Sequence, residues 1–447
     1  MIFPFILKLF EAMNKDLYMI IQLFMVGSVR KRIGSVLMLL IVGIMLASGC
    51  VNTDFSSLNY TESTSIVPYT YNDTLKCKMP PVNDFTFLLY HNLPKKEDNI
   101  FLSPYSILTA LAMLYEGAEG TTKDEMGKVL HLPEDDLERR GEFRCMILSI
   151  TNPASDAYIL RTANALWIQK GYPLKEDYID VIRRYYLAEV RELVFSEDPE
   201  RSRKIINEWI EKQTNRKIVN LMPPGAIDEF TRLVITNAIY FKANWSNKFN
   251  PENTYNGTFI LTSGEKVKVE MMHQVNSFSY METEEFQALE MPYEDNKLSM
   301  LIILPKENNI STLEKKLTSE FVENILSSMR LEKVDVIIPK FSFERSYILN
   351  DVLQKMGIRE AFTDRADFSG ITEDRLMISV VVHKTFIKVA EKGTEVAAAT
   401  GVVVTLAAPP SEEHPKVFKA DHPFIFLIRD RETGAVLFIG RLMDPRG

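Results

Sequence analysis

The sequence predicts a single α+β domain spanning residues 80–447. Three observations point to it. Apolar positions recur at helical spacing in the early segments, short β-branched or apolar runs dominate the later ones, and no Pro/Gly/Ser-rich linker divides them. Composition agrees, since 46% hydrophobic and 25% charged residues describe an ordinary globular chain with enough length to bury a sizeable core. Internal repeats are not apparent.

Taken in order, residues 84–93 carry helical periodicity, and a second helix over 106–116 is opened by Ser103-Pro104 as cap and first turn. Ile206, Trp209, Ile210 and Gln213 mark a third helix over 203–215. Residues 347–356 read as another short helix. Strands are expected at 233–241, 298–304, 334–338, 377–382 and 424–429, each bounded by turn residues.

Upstream of this domain the pattern changes. Residues 33–47 are uncharged and apolar, follow Arg30-Lys31-Arg32 and precede Ser48-Gly49-Cys50, the layout of a secretory signal. The run is too short for an ordinary membrane span. Cys50 after small residues resembles a prokaryotic lipobox, which would lipidate it and anchor the protein at the cell surface, although Ala47 stands where Leu is commonest. A signal peptide cut near Ala47, or an uncleaved anchor, are the alternatives. The first 24 residues have no place in this layout, so translation is expected to begin at Met25. Residues 1–50 are thus assigned to the signal, and 51–79, with nine Ser/Thr and no apolar periodicity, to a solvated tether. Sequons stand at Asn59, Asn72, Asn244, Asn256 and Asn309.

Several function classes fall away. Lys plus Arg number 52 against 60 Asp plus Glu, a net charge of −8, and no basic stretch exceeds Arg30-Lys31-Arg32, so nucleic-acid binding is not expected. The six His never fall at HExxH spacing, and Cys50, Cys77 and Cys145 form no CxxC pair and are too few for a disulfide framework. No GxSxG, GxGxxG or GxxxxGK[ST] occurs. No metal site and no catalytic residue is assigned.

One segment does not fit its surroundings. Between Ala390 and Pro409-Pro410 lies a stretch whose first half is small residues and whose second half, residues 402–406, favours an extended chain. It reads either as a buried hairpin strand or as a long exposed loop able to add later as a strand. An exposed, uncharged valine run is otherwise an aggregation hazard, which favours strand addition as its purpose.

Here the residues resemble a family. Glu391-Lys392-Gly393-Thr394-Glu395-Val396-Ala397-Ala398-Ala399-Thr400 is similar to the reactive-loop hinge of the serpins, and the segments 418–428 and 434–440 resemble their C-terminal signature. Asn99-Ile-Phe-Leu-Ser-Pro-Tyr-Ser-Ile107, Thr162-Ala-Asn-Ala-Leu-Trp167, Asn237-Ala-Ile-Tyr-Phe-Lys242, Trp245 and Glu290-Met-Pro-Tyr293 look like further serpin landmarks in the right order. The resemblance implies three β-sheets, about eight or nine helices and a metastable state whose exposed reactive-centre loop is cut by a protease and inserts into the main sheet. It implies no cofactor, a monomer, and a serine protease as covalent partner, with cysteine proteases as a second target class. The runner-up reading is a non-inhibitory serpin that carries or chaperones something.

By the same resemblance Ser103, Ser106, Asn237 and His383 occupy the shutter, where the main sheet parts, and Trp245 and Glu391 the breach, where insertion begins. Each also has a plain reading as a helix cap, a satisfied core histidine or packed core. An inserting strand sends alternate side chains inward, so Thr394, Val396, Ala398 and Thr400 form one uncharged face. Val396 departs from the family's usual Ala and adds bulk to the slot. The scissile bond in the family follows a residue about sixteen beyond the hinge glutamate, which gives Ala407-Ala408 and a bait for elastase- or subtilisin-like proteases. Leu406 is the alternative bait and would indicate a chymotrypsin- or cathepsin-like target.

Overall fold

A computed structural model describes residues 81–94, 97–151, 158–394 and 414–447. In chain order the elements are α1 (Val82–Asn92), β1 (Ile100–Leu102), α2 (Pro104–Tyr115), α3 (Gly120–Leu130), α4 (Asp136–Thr151), β2 (Tyr158–Gln169), α5 (Glu176–Val181) and β3 (Glu189–Leu193). They continue with α6 (Pro199–Gln213), β4 (Leu233–Asn244), β5 (Tyr255–Ile260), β6 (Lys266–Glu282), β7 (Phe286–Pro292), β8 (Leu298–Pro305), α7 (Ile310–Lys316), α8 (Ser319–Ser328) and β9 (Arg330–Pro339). The last are β10 (Phe341–Ile348), α9 (Asn350–Met356), β11 (Val380–Ala390), β12 (Gly393–Thr394), β13 (Lys416–Lys419), β14 (Phe424–Asp430) and β15 (Val436–Leu442).

Hydrogen bonding joins the strands into two networks. The larger runs β1-β15-β14-β8-β7-β6-β9-β13, with β5 also on β6. Its two halves share the 17-residue β6, which pairs with β5 at its start and with β7 at its end. The smaller is ordered β10-β11-β12-β4-β2-β3, and β11 also pairs directly with β4 in parallel. Burial follows these positions. Strands β8, β14 and β15 are buried on both faces, whereas β10 alternates buried and exposed positions because one face meets solvent.

Every residue of α2 is buried, as expected of a helix apolar on all sides that passes through the centre of the core. Ser103 caps it by accepting from the Ser106 N–H at 3.3 Å, and Pro104 fills the first turn. Helix α6 is opened by Asp198, which accepts from the Arg201 N–H, and by Pro199. Its Ile206 and Ile210 pack with Trp167, Val234, Ala238 and Val382 on the outer face of the six-stranded sheet. Gly440 has no Cβ because Phe426 fills that space; a Cβ would stand 2.1 Å from the ring.

Three expectations from sequence are corrected. The third helix begins at Pro199 and ends at Gln213, because its cap, Asp198, lies five residues upstream of the start expected at Arg203. Residues 347 and 348 belong to β10 rather than to a helix, since eight consecutive residues of β10 are paired with β11 and that pairing overrides local preference; helix α9 starts at Asn350. The strand expected at 377–382 begins at Val380 and runs on to Ala390. Although three cysteines are too few for a framework, Cys145 on α4 is disulfide-bonded.

Candidate functional site: the seam between β4 and β11 and the hinge that enters it

The parallel register of β4 and β11 sets Asn237 directly opposite His383. Both are buried, as are Ser103 and Ser106 at the start of α2. The His383 Nε2 accepts from the Ser103 N–H at 3.0 Å, so the ring proton sits on Nδ1, which donates to Asn237 Oδ1. Asn237 Nδ2 donates to Ser106 Oγ at 2.7 Å and to Asn164 Oδ1 at 2.6 Å, and Ser106 Oγ donates to the same Asn164 oxygen at 3.1 Å. Ser103 Oγ donates to the Leu437 carbonyl at 2.7 Å. The four residues singled out in sequence therefore form one satisfied network, completed by Asn164 on β2.

Burial pushes the His383 imidazole down to about 3, with the bond to Asn237 offsetting only part of the effect. A neutral imidazole with both nitrogens engaged inside the core is no general base. What the arrangement can do is join two strands: the His383–Asn237 bond spans the seam between β11 and β4, and a strand that extended along the seam as far as this pair would have to break it.

A second cluster lies at the end of the seam. Trp245 is fully buried, donates through Nε1 to the Ala390 carbonyl at 3.0 Å and through its backbone N–H to the Lys392 carbonyl at 2.8 Å, and stacks on Tyr293 with centroids 4.6 Å apart. Glu391 meets Lys340 at 3.2 Å and accepts from Thr254 Oγ1 at 3.1 Å. Burial raises the Glu391 carboxyl, but its own backbone N–H, Lys340 and Thr254 together hold it below the usual carboxylate range.

Beyond Glu391 the chain turns back. Gly393 and Thr394 form β12, inserted between β11 and β4 and antiparallel to both. Gly393 is required there: a Cβ would stand 2.0 Å from the Ala243 carbonyl oxygen. Thr394 is 1% exposed, and its Oγ1 lies 2.7 Å from Tyr293 Oη. The main sheet thus holds a seam closed by side chains below and wedged by two residues of the candidate hinge at one end.

Comparison with known proteins identifies this architecture. Residues 81–445 match the family Serpin (serine protease inhibitor). The chain belongs to the serpin family. An uncharacterized serpin-like protein of Thermococcus kodakarensis is 50% identical over 88% of this chain and 92% of its own length. Among solved structures, this serpin resembles Serpin48 of the insect Tenebrio molitor, described as highly specific, at 34% identity, covering 81% of this chain and 96% of that one with a TM-score of 0.74. It also resembles human thyroxine-binding globulin complexed with its hormone, at 32% identity, 82% and 98% coverage and a TM-score of 0.75. Serpins are generally protease inhibitors rather than enzymes.

In this serpin, the loop positions Glu395, Val396, Ala397, Ala398, Ala399 and Thr400, the bond Ala407-Ala408 and Cys50 lie outside the described residues. Three participants escaped the reading of the sequence. Asn164 is a polar residue in the middle of a largely buried strand, and Tyr293 and Thr254 belong to segments read only as landmarks or not at all. Asn164 alone carried a local signal, because an amide in mid-strand needs partners.

Proposed function

We propose that this serpin is a suicide-substrate inhibitor of serine proteases of elastase or subtilisin character, cut at Ala407-Ala408, with cysteine proteases as a second target class. The observation that carries the reading is the register of β12. Thr394 lies opposite Val389 on β11 and Ala243 on β4. Were that antiparallel register to continue for six residues after cleavage, Thr400 would come opposite both His383 and Asn237, the pair that holds the seam. Ten residues on, position 404 would come opposite Leu233, at the start of β4.

Thr394, Val396, Ala398 and Thr400 would then face the core beneath the sheet. A threonine hydroxyl arriving between an imidazole and an amide offers both a donor and an acceptor in place of the bond it displaces, so insertion leaves no buried polar group unpaired. The small residues between would fit against strands already packed. Protease held as an acyl intermediate at the end of the moving loop would be carried along the sheet and trapped.

The decisive experiment mixes the purified domain with an elastase or a subtilisin and looks for an SDS-resistant covalent complex. Clean turnover of the loop without complex refutes inhibition and leaves the carrier or chaperone reading, which the likeness to thyroxine-binding globulin supports. We also propose that the domain is monomeric, secreted and held at the cell surface through a lipid on Cys50. The mass of the mature N-terminal peptide tests this, an unmodified cysteine or an N-terminus elsewhere being the contrary result.

A further inference from the structure

We propose that Tyr293 is the positioning residue that receives the hinge and sets the rate at which the cleaved loop enters the sheet. This rests on the inhibitory reading above. Tyr293 is fully buried, its ring is held flat against Trp245, and Trp245 is itself tied to the Ala390 and Lys392 carbonyls on either side of Glu391. The ring therefore has one place to stand. From it the hydroxyl reaches the Thr394 hydroxyl at 2.7 Å. Burial pushes the Tyr293 hydroxyl up, against a weaker opposite pull from Thr394, so it stays protonated and keeps a hydrogen to share.

The consequence is kinetic. Adding a strand between two others is slow to start, because the first residues must be ordered before much pairing is gained. Here the first rung is already in register, since Gly393 and Thr394 pair with both neighbours. Backbone pairing over two residues is a weak hold; register turns Thr394 into the core, and the hydroxyl pair is what keeps it seated there. Insertion then proceeds from a formed end, and a fast start favours trapping the protease over its release.

The test uses Tyr293→Phe, which keeps the ring stack, Thr394→Val, which keeps the shape of the hinge residue, and the double variant. Amide hydrogen exchange at Gly393 and Thr394 reads the rung without any protease. Each single variant should exchange about tenfold faster than the parent protein, the loss expected for one buried hydrogen bond, and the double variant no faster than the singles. With elastase, both singles should be cleaved at the parent rate but need more inhibitor per trapped protease. Unchanged exchange in Tyr293→Phe, or effects that simply add, overturn the proposal even where complexes form normally. Parent protein that forms no complex refutes the inhibitory reading instead, and the exchange coupling still decides whether Tyr293 holds the hinge.

Discussion

Mild acid should loosen the seam between β4 and β11, and His383 is the reason. In the native protein its Nε2 faces the Ser103 N–H, a group that can only donate, so the native arrangement requires a neutral ring. Burial pushes that imidazole down to about 3, whereas an exposed histidine titrates near 6.5. The native value is depressed, so as pH falls through about 6.5 the opened form takes up a proton that the closed form refuses. Stability of the closed seam is present above that pH and is lost going down to about 3, at roughly 1.4 kcal/mol per pH unit. Between pH 7.5 and 5 the loss is about 2 kcal/mol, or about thirtyfold in the opening equilibrium. Staying at pH 5 or above keeps Glu391, whose carboxyl is held low, ionised in its pair with Lys340. The assay is the rate of irreversible loss of the native form at fixed temperature, followed on native gels from pH 7.5 to 5 for the parent protein and for His383→Gln. The parent rate should steepen below pH 6.5, and the variant, faster at every pH, should show a flatter profile. Parallel profiles would refute the assignment of the pH dependence to His383.

Replacing Thr394 with Arg should convert inhibitor into substrate: burying an unpaired guanidinium costs several kcal/mol, whereas withdrawing the two residues of β12 forfeits only a few hydrogen bonds, so the hinge leaves the sheet and the fold persists. Complex formation at the parent ratio would contradict this. Elastase should release a fragment with Ala408 at its N-terminus by mass spectrometry; a cut after Leu406 would move both the bait and the target class. Cleavage of the loop should raise the calorimetric unfolding temperature by on the order of 10 °C, since burying three valine-sized side chains contributes about 5 kcal/mol. An equal or lower temperature would mean that the loop does not insert. Asn237→Ala should speed spontaneous loss of the native monomer, because it leaves Ser106, Asn164 and His383 short of partners; size-exclusion chromatography showing unchanged monomer lifetime would argue against a role at the seam.

Much of the architecture was legible because it is local. Ser103-Pro104 ahead of an apolar run marks the buried α2, and the β-branched runs mark β4, β8, β9 and β14, since cap chemistry and periodicity act within a few residues. Errors arose where a partner far along the chain decided the outcome. Tyr347 and Ile348 look helical alone and are strand because His383 and Val382 lie opposite them. The four polar residues Ser103, Ser106, Asn237 and His383 were found through resemblance, and nothing in their spacing says that they touch.

The amino-acid sequence by itself determined the fold class, the order of the elements and the small, uncharged side chains at Thr394, Val396, Ala398 and Thr400. Periodicity, side-chain size and charge are properties of short segments and survive without tertiary context. Only the tertiary structure decided that Asn237 faces His383 across a seam, that Asn164 completes their network, and that Tyr293 meets Thr394. These contacts join residues as much as 146 positions apart, and strand register sets them: a slip of one residue would turn every one of these side chains to the opposite face of the sheet.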